Sequence, residues 1–238
     1  MFERFKTDTK TKLKSTPLQG LKPFSNLNDE HPAKQYLLNR KLPTDYFDRL
    51  YYCDKFQTYV NRIRPGTFES LNKKYEHPRL IIPFYDVDNQ VFAIQGRAFG
   101  KEQPKYLTIK LQENKQKIFG LERINLHKRL YIVEGPLDSL FLDNCLAAGG
   151  ADLQLPVDKK DVVFIFDNEP RNKEIIDRMY KIIEKDYMIV IWPEGQTEKD
   201  INEMIINGKT KDQVQKIISD NTYSGLSAIT QINSYKRC

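Results

Sequence analysis

The second half of the chain is dominated by three short apolar runs without internal alternation, at 130–133, 162–166 and 188–192. A strand with one wet face alternates apolar and polar positions, so unbroken runs read as strands buried on both faces, as in a parallel sheet between helices. Gly135 and Pro136 follow the first run: a glycine for a turn that needs conformational freedom, then a proline tolerated at a helix start. A helix is expected there through Leu137, Leu140 and Phe141. After the second run, about 171–185 carries Ile175, Ile176, Met179, Ile182 and Ile183 as one helical stripe. The third run ends at Pro193, and KDINEMI and KDQVQKIISD predict two closing helices. Right-handed β-α-β crossovers then give a small parallel sheet covered on both faces.

Upstream the pattern changes. RLIIPFYD and QVFAIQGRAF flank a polar turn and PKYLTIK follows, which predicts an antiparallel meander over 79–110. Pro83 cannot donate to a ladder, which places its segment at an edge or a bulge. From Asn28 to about Phe56 the spacing turns helical: Asn28 or Asp29 as cap, Pro32 in the first turn, then Tyr36, Leu37 and Arg40. Thr44 is expected to cap a second helix carrying Phe47, Leu50 and Tyr51, and Thr67 a short one through Tyr75. The expected organisation is a flexible basic arm (1–24), an α+β basic subdomain (25–127), an α/β domain (128–220) and a C-terminal tail (221–238).

Lysine and arginine number 38 against 32 aspartates and glutamates, a formal charge of +6. Because many acids gather in the second half, the remaining surface is more basic than the total, which suits a polyanionic partner. Cys53, Cys145 and Cys238 are odd in number and contain no CxxC pair, so neither a disulfide framework nor a zinc site is readable. His31, His77 and His127 show no ligand spacing and read as surface or loop residues. No apolar stretch is long enough to span a bilayer and no signal core opens the sequence, so a cytoplasmic protein without membrane contact is expected.

Acids follow each apolar run: Glu134 and Asp138 after the first, Asp167 and Glu169 after the second, Asp200 after the third. Open α/β sheets gather ligands at the carboxyl ends of their strands. Five converging carboxylates would repel one another unless divalent cations neutralised them, so the pattern predicts a magnesium site handling phosphates. Asp138 and Asp200 are equally placed to complement helix N-termini.

EGPLDSL resembles the first motif of the Toprim domain, FDNE its second acidic motif, and PEGQTEKDINE the segment that closes the metal site in DnaG-type primases of bacteria and phages. The run from RLIIPFYD through PKYLTIK and IFGLE resembles the basic subdomain that precedes Toprim there, and HPAKQYLLNRKLP the leading segment of phage members. The likeness covers roughly 28–220, and its co-linear order makes it specific. It implies an α/β chain with a C-terminal Toprim domain that makes short RNA primers on single-stranded DNA by metal-dependent nucleotidyl transfer. It implies Asp167, Glu169 and Asp200 as ligands of Mg²⁺, with Mn²⁺ able to substitute, Glu134 as general base or metal-orienting group, and Asp138 beside it. Arg79, Arg97, Lys105, Tyr106 and Lys199 would meet template or nucleotide. Implied partners are single-stranded DNA, NTPs and a replicative helicase, in a phage replication setting. Two departures stand out: Asn168 and Glu169 replace the usual second aspartate, and no zinc module is encoded. The rival readings are a Toprim nuclease or topoisomerase, and a non-catalytic DNA-binding module.

Overall fold

The structure, a computed structural model, describes residues 16–69, 76–149, 153 and 157–238. Two sheets organise them. The first is wholly antiparallel, in the order β1 (Lys22–Pro23), β2 (Tyr51–Cys53), β3 (Arg79–Tyr85), β4 (Val91–Ala98), β5 (Tyr106–Lys110). The second runs β11 (Thr222–Tyr223), β10 (Met188–Val190), β9 (Val162–Ile165), β7 (Leu130–Val133), β8 (Cys145–Ala148), β6 (Ile118–Phe119). Its four central strands are parallel, and β6 and β11 close the edges antiparallel.

The unbroken apolar runs do what their pattern predicts. On β7 and β9, Val133, Val163 and Ile165 face one core, while Leu130, Ile132, Val162 and Phe164 face another. The second core is closed by α3 (Lys173–Glu184), whose predicted stripe is buried in full, and by Ala228 and Ile232 of α6 (Gly225–Tyr235). The first core takes α4 (Ile201–Ile206) and α5 (Lys211–Asp220), then continues through Phe119 into Leu80, Ile82, Phe84 and Phe92 of the antiparallel sheet and Leu37 of α1 (Pro32–Asn39). One apolar core therefore joins both sheets and fixes their relation. At about 1.5–3 kcal/mol per buried aliphatic or aromatic side chain, this shared core outweighs any polar contact between them. The other face of the first sheet, with Ile81, Ile94 and Ile109, is covered by Phe56, Tyr59 and Val60 of α2 (Phe56–Ile63).

Several local expectations need correction. After Gly135 only a 3-10 turn forms, Asp138–Phe141, because the chain must re-enter the sheet as β8 at Cys145; that alanine-rich strand carries little β signal and was not anticipated. α1 is capped by His31, whose Nδ1 accepts from the Ala33 N–H, while Asn28 instead accepts from Glu30 N–H. Thr44 opens a 3-10 turn, Thr44–Tyr46, and Tyr51 then enters β2, so no second helix spans this stretch. Pro83 lies in a strand with neighbours on both sides, but β2 reaches only Ile81, so no partner is missed at the proline, and a bulge follows between Phe84 and Tyr85. Residues 225–235, expected as tail, form α6. Part of the expected arm pairs as β1; residues 1–15 lie outside the described residues, as does most of the helix expected after Thr67, of which 67–69 are bends. No helix among the described residues is long and apolar enough to cross a membrane.

Candidate functional site

The parallel strands deliver their acids to one crevice. Glu134 immediately follows β7, Asp167 lies two residues beyond β9, Asp138 sits in the 3-10 turn after Pro136, and Asp200 precedes α4. These four line a single pocket with Gly135, Phe166 and Trp192. The turn is tight at Gly135: a Cβ there would lie 2.6 Å from Asp138 Oδ2, so space rather than an unusual backbone angle requires the glycine.

Asp138 is half-buried, and its Oδ1 accepts the Asn202 N–H at 3.1 Å. Burial first, and then Asp200, push its carboxyl up to about 6; the Asn202 N–H and the Arg40 guanidinium act against this. Asp200 caps α4, accepting the Glu203 N–H at 2.7 Å. Asp167 is pushed up to about 7, chiefly by burial and then by Glu134, Asp138 and Asp200, with Lys199 opposing at 3.8 Å. Glu134 divides its oxygens: one pairs with Arg178 at 2.5 Å, the other accepts the Asp167 N–H at 3.2 Å. Glu169 points elsewhere, into an ion pair with Lys199 and a 2.8 Å bond from Asn172 Nδ2, and this hydrogen bonding holds its carboxyl below the usual range.

The structure thus gathers Glu134, Asp138, Asp167 and Asp200 and leaves Glu169 on the Lys199 side. In the present rotamers no three His, Cys, Asp or Glu side chains among the described residues stand close enough to share an ion. The donor set nonetheless suits a hard divalent cation in kind: carboxylate oxygens alone, with burial and then mutual repulsion pushing Asp167 up to about 7.

Of the expected basic residues, Arg97 and Arg79 are not brought together. Arg97 pairs across the ladder with Leu80 and stands on the shared-core face, where its Nε donates to the Tyr106 hydroxyl at 3.0 Å and Nη1 donates to the Tyr36 hydroxyl. Arg79 is one residue out of phase and turns to the opposite face, over the Phe56 ring, where it donates to Gly96 O at 3.1 Å and Pro104 O at 2.9 Å. It braces the sheet rather than lining the approach to the acids. Lys105 lies 5.7 Å from the Tyr106 ring centroid, and Tyr106 is 42% exposed.

Three participants escaped the sequence reading. Arg178 sits within the apolar stripe of α3, three residues after Ile175 and four before Ile182, and a charge in such a stripe signals a buried partner. Arg40, just past the end of α1, links the two halves: it donates to the Tyr36 hydroxyl one turn back at 3.4 Å, and its carbonyl accepts from Asn202 Nδ2 at 2.7 Å. Arg40 Nε is buried without a partner.

No family model matches the sequence. The DNA primase of Enterobacteria phage T4 is 34% identical over 219 residues, which is 90% of this chain; the chain spans 63% of that relative's length. The Escherichia coli primase catalytic core superposes with a TM-score of 0.60 at 18% identity, over 92% of this chain and 79% of that one. A DnaG primase catalytic domain bound to single-stranded DNA superposes with a TM-score of 0.58 at 18% identity, over 92% of this chain and 77% of that one.

Proposed function

We propose that this chain, similar to the DNA primase of phage T4 and with the fold of DnaG primase catalytic cores, synthesises short RNA primers on single-stranded DNA. The observation that carries the proposal is the pocket walled by Glu134, Asp138, Asp167 and Asp200 at the carboxyl ends of parallel strands. Primer synthesis is attack of a 3′-hydroxyl on the α-phosphate of an NTP, and its cost lies in charge developing on the transferred group. A divalent cation held by Asp167 and Asp200, with Glu134 and Glu169 completing the set, would neutralise that charge; hard oxygen donors favour Mg²⁺, with Mn²⁺ a substitute.

The chain's own groups do the remaining work. Glu134, already bonded to the Asp167 N–H, orients that residue and stands as the acceptor for the hydroxyl proton. Asp138 lines the pocket and, through the Asn202 N–H, holds the start of α4, and with it Asp200. Lys199, once off Glu169, supplies a cation for the triphosphate. Lys105 and the exposed Tyr106 meet template or nucleotide, with base stacking as the role of Tyr106, while Arg97 is 3% exposed and acts by fixing the hydroxyls of Tyr106 and Tyr36. The solved DnaG domain with single-stranded DNA supports a single-stranded template, and the T4 relative supports a phage setting. A replicative helicase as partner rests on the resemblance alone.

The test is primer synthesis on a mixed-sequence single strand with labelled NTPs and Mg²⁺. Asp167→Ala is expected to remove at least two orders of magnitude of product. Equal product from variant and wild type refutes the assignment, and relaxation of supercoiled plasmid by the wild type would move the activity to a topoisomerase.

A further inference from the structure

Asn168, between Asp167 and Glu169, uses every polar atom of its side chain. Its Nδ2 donates to Gln196 O at 2.8 Å and Glu198 O at 3.0 Å, and its Oδ1 accepts from the Tyr235 hydroxyl at 3.0 Å. Its backbone N–H donates to Lys199 O at 2.6 Å. One amide therefore ties together the acid-bearing segment, the 196–199 segment leading to Asp200, and the last turn of α6. An aspartate here could not donate to two carbonyls, which explains why an amide stands where the resemblance expects an acid-rich pair.

The tie is local and exposed to loosening. A cavity of about 280 Å³, bordered by Asn168, Pro170, Gln196 and Tyr235 among others, opens between α6 and the 193–196 loop. Across it, the Tyr235–Asn168 bond and one backbone bond, Arg237 N–H to Pro170 O at 2.7 Å, connect α6 to residues 168–170. The far side of α6 is anchored separately, by the Tyr180 hydroxyl donating to Asn233 Oδ1 at 2.9 Å.

We propose that Asn168 and Tyr235 are a positioning pair: through them the C-terminal helix fixes Asp167 against the segment carrying Asp200, and so sets how tightly the acids hold a divalent cation. This rests on the primase reading of the same acids. It assigns α6, so far only a packing element, a part in metal affinity.

The chain's single tryptophan, Trp192, lines the acidic pocket and donates from Nε1 to Phe166 O at 2.8 Å, so its fluorescence reports Mn²⁺ binding without any turnover. With the full chain titrated with Mn²⁺, Tyr235→Phe, which keeps the ring, is expected to raise the midpoint about fivefold, the worth of one lost hydrogen bond. Asn168→Ala should shift it at least as far, and adding Tyr235→Phe to Asn168→Ala should shift it no further. Tyr180→Phe, which loosens α6 on its other side, should leave the midpoint unmoved. An unchanged midpoint in Tyr235→Phe, additive shifts in the double variant, or an equal shift in Tyr180→Phe overturns the pair while leaving the primase reading intact. A wild type whose fluorescence ignores Mn²⁺ overturns both.

Discussion

Burying carboxylates beside one another should make this protein less stable than it could be, and Asp167 is where the effect concentrates. Its carboxyl is pushed from 3.8 to about 7, so the folded state holds a proton that the unfolded chain releases near pH 4. The corresponding stability is present in full below pH 4, is lost as pH rises through 4 to 7, and stays lost above 7. At 1.36 kcal/mol per pH unit the shift corresponds to about 4 kcal/mol; the side chain is 32% exposed, and solvent screening reduces this to about 2 kcal/mol. Asp167→Asn removes the charge and keeps the shape. In EDTA at pH 8 it should raise Tm by about 4–8 °C in a chain of this size, with the gain shrinking toward zero at pH 4. Mg²⁺ should raise the wild-type Tm and leave the variant nearly unmoved. Differential scanning fluorimetry across pH decides the matter. A variant no more stable than wild type at pH 8 in EDTA, or a gain independent of pH, refutes the electrostatic account.

Two further predictions concern the scaffold. A Cβ on Gly96 would stand 2.2 Å from Phe56 Cε2, so Gly96→Ala forces the ring off the sheet and should cost about 1–3 kcal/mol, read as a lower urea midpoint. Thr210 and Gln213 form a reciprocal capping box on α5, so Thr210→Ala should cost about 1 kcal/mol, or about 2–4 °C in Tm, with primer synthesis unchanged at 25 °C.

How far the sequence discloses this molecule depends on whether the determining force is local. The runs at 130–133, 162–165 and 188–190 were legible because a strand buried on both faces has no room for polar positions, and the stripe of α3 because helical period is a local property. The strand at Cys145–Ala148 was not legible: Cys-Leu-Ala-Ala has no β preference of its own and becomes a strand only between β7 and β6. The same limit hid the turn at Asp138–Phe141, which is too short for the helix its apolar spacing suggests. At the site, four of the five acids fall where the strand-end rule puts them. Glu169 turns away because Lys199, thirty residues on, offers it a better partner, and no spacing rule carries that information. Arg79 and Arg97 show the reverse case: strand alternation alone, applied across the β3–β4 ladder, places them on opposite faces.

The acids also hold the site together, and this changes how they must be probed. Asp200 accepts the Glu203 N–H in the first turn of α4, Asp138 accepts the preceding Asn202 N–H, and Glu134 accepts the Asp167 N–H. Truncating any of them removes a carboxylate charge and an acceptor at once, and an N–H left without a partner costs about 1–3 kcal/mol. Alanine variants at these positions therefore mix lost chemistry with lost geometry. The isosteric amides separate the two: asparagine at 200 or glutamine at 134 can still accept the same N–H while bringing no charge. A cap offered by Asn is about as good as one offered by Asp, so Asp200→Asn should fold as well as wild type. Any defect it shows in metal binding or primer synthesis then belongs to the missing charge and not to a displaced helix.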